Sequence, residues 1–185
     1  MAAVRLKQIQ LETPWVVLDF QGEGTYTGQA ANSRPDGFGT FVYSQDSAKS
    51  KSDGWKSYTG SWKRGSPYGR GSISYLNGAR YDGNVVDGKR AGRGVMSYKP
   101  HDHARMRFRG KFERDRKIKG IIWVTVSGKE FSYDGEFNNV GHFHDKNAKV
   151  VINGTKGARR YSDDKWIDKP VGAVDLLVQT IHHYY

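Results

Sequence analysis

In Tyr58-Thr59-Gly60-Ser61-Trp62, ring and glycine positions alternate with small polar residues. In Arg105-Met106-Arg107-Phe108-Arg109-Gly110-Lys111-Phe112, cations alternate with apolar residues and one glycine. A period of two sends neighbouring side chains to opposite faces, so both stretches read as strands. The second strand then carries Arg105, Arg107, Arg109 and Lys111 on one face and its ring row on the other. Lys63-Arg64-Gly65 interrupts the first pattern at a residue that takes positive φ without a Cβ clash, which predicts a hairpin turn. The return strand runs from Gly69 to Tyr75. Leu76-Asn77-Gly78 predicts a second turn before Tyr81, because Asn-Gly is a strong short hairpin signal.

The two ends break this period. Residues 4–20 mix β-branched and apolar residues around Pro14 and predict a strand that covers the edge of the first hairpin. Near the other end, Asp168-Lys169-Pro170 supplies an N-cap residue and a proline for a first helical turn. Val171, Val174, Leu177, Val178 and Ile181 then form one apolar face. They predict a short C-terminal helix that caps the last hairpin or docks on a partner. The expected division is an N-terminal extension at 1–21, a repeat array at 22–153, and a linker with the helix at 154–185.

The array is expected because the hairpin recurs. From Tyr58, glycines stand at offsets 2, 7, 11 and 13 (Gly60, Gly65, Gly69, Gly71), with Trp62 at offset 4. From Tyr81 the same offsets hold Gly83, Gly88, Gly92 and Gly94, with Val85 in the aromatic slot. Weaker copies flank this pair. The one from Tyr26 keeps Gly28, Gly37 and Gly39 but has Ser33 in place of a glycine. The one from Phe108 keeps Gly110 and Phe112 and then decays, and the one from Tyr133 keeps Gly135 and Phe137.

Glycine weakens a strand unless something must approach the backbone closely. The expected occupant is an aromatic ring of a neighbouring hairpin, so that rings over glycines build a narrow core. The longest gap between unit starts holds the polar run Ser44 to Asp53, expected as an exposed loop; Lys99 to Ala104 is expected as another turn-like insertion.

This unit resembles the MORN repeat, written Tyr-x-Gly-x-Trp/Phe-x-x-Gly-x-x-x-Gly-x-Gly. Residues 58–71 match it at every signature position, and residues 81–94 match it except at Val85. The resemblance implies a mainly β fold, a single-layer twisted sheet of consecutive antiparallel hairpins. It also implies a scaffold or protein-binding platform, often in cilia, basal bodies and other cytoskeletal assemblies, with lipid binding as a further use.

Composition agrees with thin β structure. Only 36% of residues are apolar while 13% are aromatic and 23 are glycine, which argues against an aliphatic helical bundle. There is no cysteine, so disulfides and thiolate metal sites are excluded. No apolar run approaches bilayer length. An intracellular protein, soluble or bound to the cytoskeleton, is expected, with organelle targeting left open.

Charge adds a partner class. The formal balance is +11, from 30 Lys and Arg against 19 Asp and Glu, which favours an acidic protein surface, anionic lipid or RNA. The stripe from Arg105 to Lys111 and the helix from Val171 to Ile181 are the expected contacts. Base-stacking aromatics would have to share the cationic face, and none is expected there, so RNA ranks below protein.

Catalytic signals are missing. There is no Gly-x-Ser-x-Gly elbow and no Gly-Lys-Ser/Thr phosphate loop. His101-x-His103 and His142-x-His144-Asp145 have metal-like spacing but lie in or beside expected loops. No metal, cofactor or enzymatic activity is expected. The leading expectation is a structural protein that binds other subunits of a cytoskeletal or ciliary assembly. The alternative is a basic adaptor for anionic lipid headgroups or RNA, such as an accessory subunit of a ribonucleoprotein particle.

Overall fold

The structure, a computed structural model, describes residues 15–101, 104–137, 149–152, 155–158, 161–162 and 165–166. The strands are β1 (Trp15–Phe20), β2 (Gly24–Ala31), β3 (Arg34–Tyr43), β4 (Trp55–Lys63), β5 (Ser66–Tyr75), β6 (Arg80–Val86) and β7 (Lys89–His101). They continue with β8 (Ala104–Glu113), β9 (Arg116–Val126), β10 (Lys129–Glu136), β11 (Lys149–Ile152) and β12 (Thr155–Ala158). Each pairs antiparallel with the next, so the sheet order is the chain order. A separate two-stranded ribbon pairs β13 (Tyr161–Ser162) with β14 (Lys165–Trp166). The predicted sheet of consecutive hairpins is present. β1 is the strand expected near the N-terminus, whereas the helix expected at Val171 to Ile181 lies outside the described residues.

The register of the sheet is written in glycine. Gly28, Gly39, Gly60, Gly71, Gly83, Gly94, Gly110, Gly120 and Gly135 are successive cross-strand partners from β2 to β10. Two residues along on the same face runs a second row: Tyr26, Phe41, Tyr58, Ile73, Tyr81, Met96, Phe108, Ile122 and Tyr133. Every member of that second row is buried. A strand side chain leans along its own strand. Tyr58 therefore lies over the bare backbone beside it, and a Cβ at Gly71 would stand 2.4 Å from its ring. The ring belongs to the same hairpin as the glycine it covers, not to a neighbouring one as the sequence suggested.

Neighbouring units are joined by the next aromatic position instead. Trp62 packs edge-on against Tyr58 of its own unit and Tyr26 of the unit before, with centroids 5.2 Å away in both cases. Its indole Nε1 also donates to the Gly39 carbonyl at 3.1 Å. Phe112 sits in the same way between Tyr81 and Phe108, at 5.1 Å from each. Edge-to-face pairs of this kind contribute about 0.5–1.5 kcal/mol beyond their buried area.

The unit from Phe108 does not decay where its sequence register fails. Opposite Lys111 and Phe112, strand β9 bulges by the single residue Ile118, since Lys111 pairs with Lys119 and Phe112 with Lys117. The unit from Tyr58 has three residues, Tyr68 to Arg70, between Pro67 and Gly71, where β9 has two, Ile118 and Lys119, between Lys117 and Gly120. The shorter bulge moves the closing glycine to offset 12, where Gly120 takes the place that Gly71 and Gly94 hold elsewhere.

The hairpin turns alternate between two edges. At the first edge, Arg64 and Gly65 have φ of 50° and 87°, as a type I′ turn requires. Three turns at this edge are tied to the preceding unit. Gly65 N donates to Pro35 O at 2.8 Å, Gly88 N to Pro67 O at 3.2 Å, and Asp115 N to Arg90 O at 3.0 Å.

The polar run expected as an exposed loop instead contains the helix α1 (Ala48–Asp53). Ser47 caps it by accepting from Ser50 N at 3.1 Å, and Ser50 Oγ donates to Trp55 O at 2.6 Å. Ser47 and Ser50 are buried. The Lys49 ammonium lies 4.3 Å above the Trp55 ring and 3.4 Å from the Gly88 carbonyl, so α1 bridges to the following unit.

Candidate binding face

Alternation leaves one side of the sheet without the ring row. Its central line reads Val17, Thr27, Thr40, Thr59, Ser72, Asp82, Val95, Arg109, Ile121 and Asp134. The face thus changes character along the array. Hydroxyls dominate its first half, where Thr40 Oγ1 and Thr59 Oγ1 are 3.0 Å apart. Cations dominate from β7 to β9.

The predicted stripe is where the alternation placed it. Arg105, Arg107, Arg109 and Lys111 are exposed along β8, while Met106, Phe108 and Phe112 are buried behind them. Lys111 is flanked by Arg93 on one side and Lys119 on the other, so the cations run across strands as well as along one. No ion pair joins Arg93, Arg105, Arg107, Arg109 or Lys111 to an acid among the described residues. Acids border the patch rather than fill it. Asp82 is held by Arg80 through two contacts of 2.9 and 3.0 Å, and these keep its carboxyl below the usual range. Glu136 lies 3.3 Å from Lys119.

Trp123 is the direct cross-strand partner of Arg107, and so shares the cationic side. It is 38% exposed. The expectation that no aromatic accompanies the cations is therefore wrong. The apolar run Ile121-Ile122-Trp123-Val124 hides which residues face which way, because both parities are hydrophobic. Only the register against β8 separates buried Ile122 and Val124 from exposed Trp123.

Beside Trp123 the face dips into an open depression of about 310 Å³. Ser97, Lys99, Arg105, Arg107, Trp123 and Thr125 stand around it, with Gly78 of the β5–β6 turn at its rim. The site offers positive charge, hydroxyl groups and one indole. Apolar side chains are also exposed at the far end of this side, namely Trp15, Val17, Phe38 and Val42.

The repeat-signature residues serve the scaffold. Tyr58, Tyr81 and Trp62 are buried, and Gly60, Gly71, Gly83 and Gly94 lie in the glycine row. Gly65 and Gly88 are in turns, and Gly69 and Gly92 in the bulged return strands. Residues Val171, Val174, Leu177, Val178 and Ile181 lie outside the described residues, as do His103, His142 and His144. Among the described residues no group of three or more His, Asp or Glu side chains is placed to hold a metal ion, and no helix is long and apolar enough to cross a membrane.

The family model of the MORN repeat matches residues 26–47, 58–80 and 81–103. These are the stretches that open at Tyr26, Tyr58 and Tyr81. Comparison with curated proteins finds no match.

Proposed function

The chain is a MORN-repeat protein, and on that premise we propose that it is a non-catalytic scaffold that holds other protein subunits in a larger cytoskeletal or ciliary assembly, such as an axoneme or radial spoke. MORN repeats generally bind proteins or membrane lipids, and MORN-repeat proteins are typically non-catalytic. The observation that carries the reading is the exposed stripe of Arg105, Arg107, Arg109 and Lys111, unpaired among the described residues and fixed on a strand in mid-sheet. A strand holds its side chains at regular intervals, so the cations form a pre-organised surface for an acidic protein partner.

The test is affinity recovery of partner chains with wild type and with Arg105→Glu, Arg107→Glu and Arg109→Glu combined. Loss of the recovered chains is expected, and unchanged recovery would remove the stripe from the binding surface. Colocalisation with microtubule structures tests the assembly: a diffuse distribution would count against it.

One observation favours the alternative of a basic adaptor for anionic lipid headgroups or RNA. Trp123 among the cations is a ring that can stack on a base or sit at a membrane interface. Liposome flotation and filter binding across a salt series separate the readings. Steeply salt-dependent binding to simple polyanions would favour the adaptor.

A further inference from the structure

The depression beside Trp123 has a chemistry that the stripe alone does not. Arg105, Arg107, Arg109 and Lys111 alternate along β8, so neighbouring cations of the stripe stand about 6.7 Å apart. That is also the spacing of alternate side chains on any extended chain. A single ring lies one strand away, opposite Arg107, with the diagonal positions taken by Arg105 and Arg109 through their partners Thr125 and Ile121. A nucleic-acid groove stacks successive bases on successive rings. Here one ring stands among several cations, which is the layout for a single anchoring side chain surrounded by charge contacts.

We propose that this depression seats one aromatic or large aliphatic side chain of an acidic, extended protein segment, whose alternate carboxylates meet Arg105, Arg107, Arg109 and Lys111. This rests on the reading of the stripe as a protein-binding surface and names the partner's chemistry. Charge steers the segment to the face, and burial of its anchor against Trp123 fixes its position along the stripe. Ser97 and Thr125 hydroxyls at the margin hydrogen-bond polar groups beside the anchor.

The probe is a fluorescent synthetic peptide with glutamates at alternate positions and one central phenylalanine, compared with the same peptide carrying serine in its place. The full chain should bind the phenylalanine peptide at least tenfold more tightly. Trp123→Ala should erase that difference while leaving weaker, salt-sensitive binding of both peptides. Thr125→Glu, which brings a repelling charge into the depression, gives a second variant should Trp123→Ala lose its native circular dichroism. Arg107→Glu should weaken both peptides.

Equal affinity of the two peptides for the wild-type chain overturns the anchor site, as does indifference to both Trp123→Ala and Thr125→Glu. If Arg107→Glu still weakens binding in that case, the stripe stands and only the anchor fails. Tighter, Trp123-dependent binding of oligouridylate or of phosphatidylserine vesicles than of the peptide also overturns the proposal.

Discussion

The ring of Tyr81 rests on the backbone of Gly94, its cross-hairpin neighbour: a Cβ at Gly94 would stand 2.4 Å from the ring's Cε2. The ring cannot move away, because Phe112 packs edge-on against it at 5.1 Å and its hydroxyl is held by Asn84 O at 2.8 Å. Gly94→Ala is therefore expected to cost about 3 kcal/mol through overpacking. Gly78, at φ 80° with nothing within 4 Å of its Cβ position, is the control. Gly78→Ala should cost only about 1 kcal/mol, from the left-handed conformation. Urea unfolding of both variants decides, and equal losses would mean that the ring does not confine the glycine.

The hydroxyl of that ring is a separate contribution. Tyr26, Tyr58, Tyr81 and Tyr133 each donate to the carbonyl three residues on, at 2.6 to 2.9 Å. The carbonyls of Gln29, Ser61 and Asn84 lie beside the bulges, where the ladder is irregular. Tyr81→Phe leaves the Asn84 carbonyl without this donor and should cost about 1–2 kcal/mol with little change in ring packing. A loss below the error of the denaturation midpoint would show that water replaces the hydroxyl.

These relations divide what a sequence can and cannot show. Period two and glycine spacing reveal the hairpins, because both follow from local backbone geometry. Which ring covers which glycine depends on side-chain lean and cross-strand register, neither of which the spacing carries, so the neighbouring hairpin is as good a candidate from sequence as the glycine's own. Gly120 falls outside the repeat spacing because a bulge one residue shorter than that of the Tyr58 unit moves it out of step. Helix α1 carries no apolar period at all. Its stability comes from the Ser47 cap and from the contacts of Ser50 and Lys49 with Trp55, which only the fold brings together. Trp123 is hidden by apolar neighbours of both parities.

Buried tyrosines also set the alkaline limit. Burial pushes Tyr58 and Tyr75 up to about 12, and Tyr43 and Tyr81 higher still. A group whose folded pKa is raised contributes stability that is fully present below its unfolded value, near 10, and lost as pH rises toward the folded value. Tyr58 and Tyr81, both fully buried, should each cost about 1.4 kcal/mol per pH unit above 10. Lys117 has the opposite sign. Burial, then repulsion from Arg90, holds its ammonium well below the ordinary 10.5, so its contribution rises with pH up to that value and then stops. Thermal melts from pH 8 to 12 should show a steep fall beginning near pH 10. A flat profile to pH 12 would mean that the tyrosines ionise without unfolding.

Ser33 occupies a turn position that glycine fills in the units from Tyr58 and Tyr81, and its φ is 58°. A left-handed conformation costs a residue with a Cβ about 1–2 kcal/mol, part of which glycine returns as lost chain entropy. Ser33→Gly should therefore raise stability by about 0.5–1 kcal/mol. A lower unfolding midpoint for this variant would show that the Ser33 side chain contributes more than its strain costs.

Stability and binding should separate on the cationic face. Arg107 and Arg109 are exposed, and no ion pair holds either one among the described residues. Substitutions at such positions usually change stability by less than about 0.5 kcal/mol. Replacing both by glutamate also relieves repulsion within a stripe that includes Arg105 and Lys111, so the thermal midpoint should stay level or rise slightly. The same variant should lose its acidic partner, because two favourable contacts become repulsive ones. Parallel melting and peptide titration of the double variant check this. A large fall in the midpoint would assign these arginines to folding, and undiminished peptide affinity would move the binding surface elsewhere.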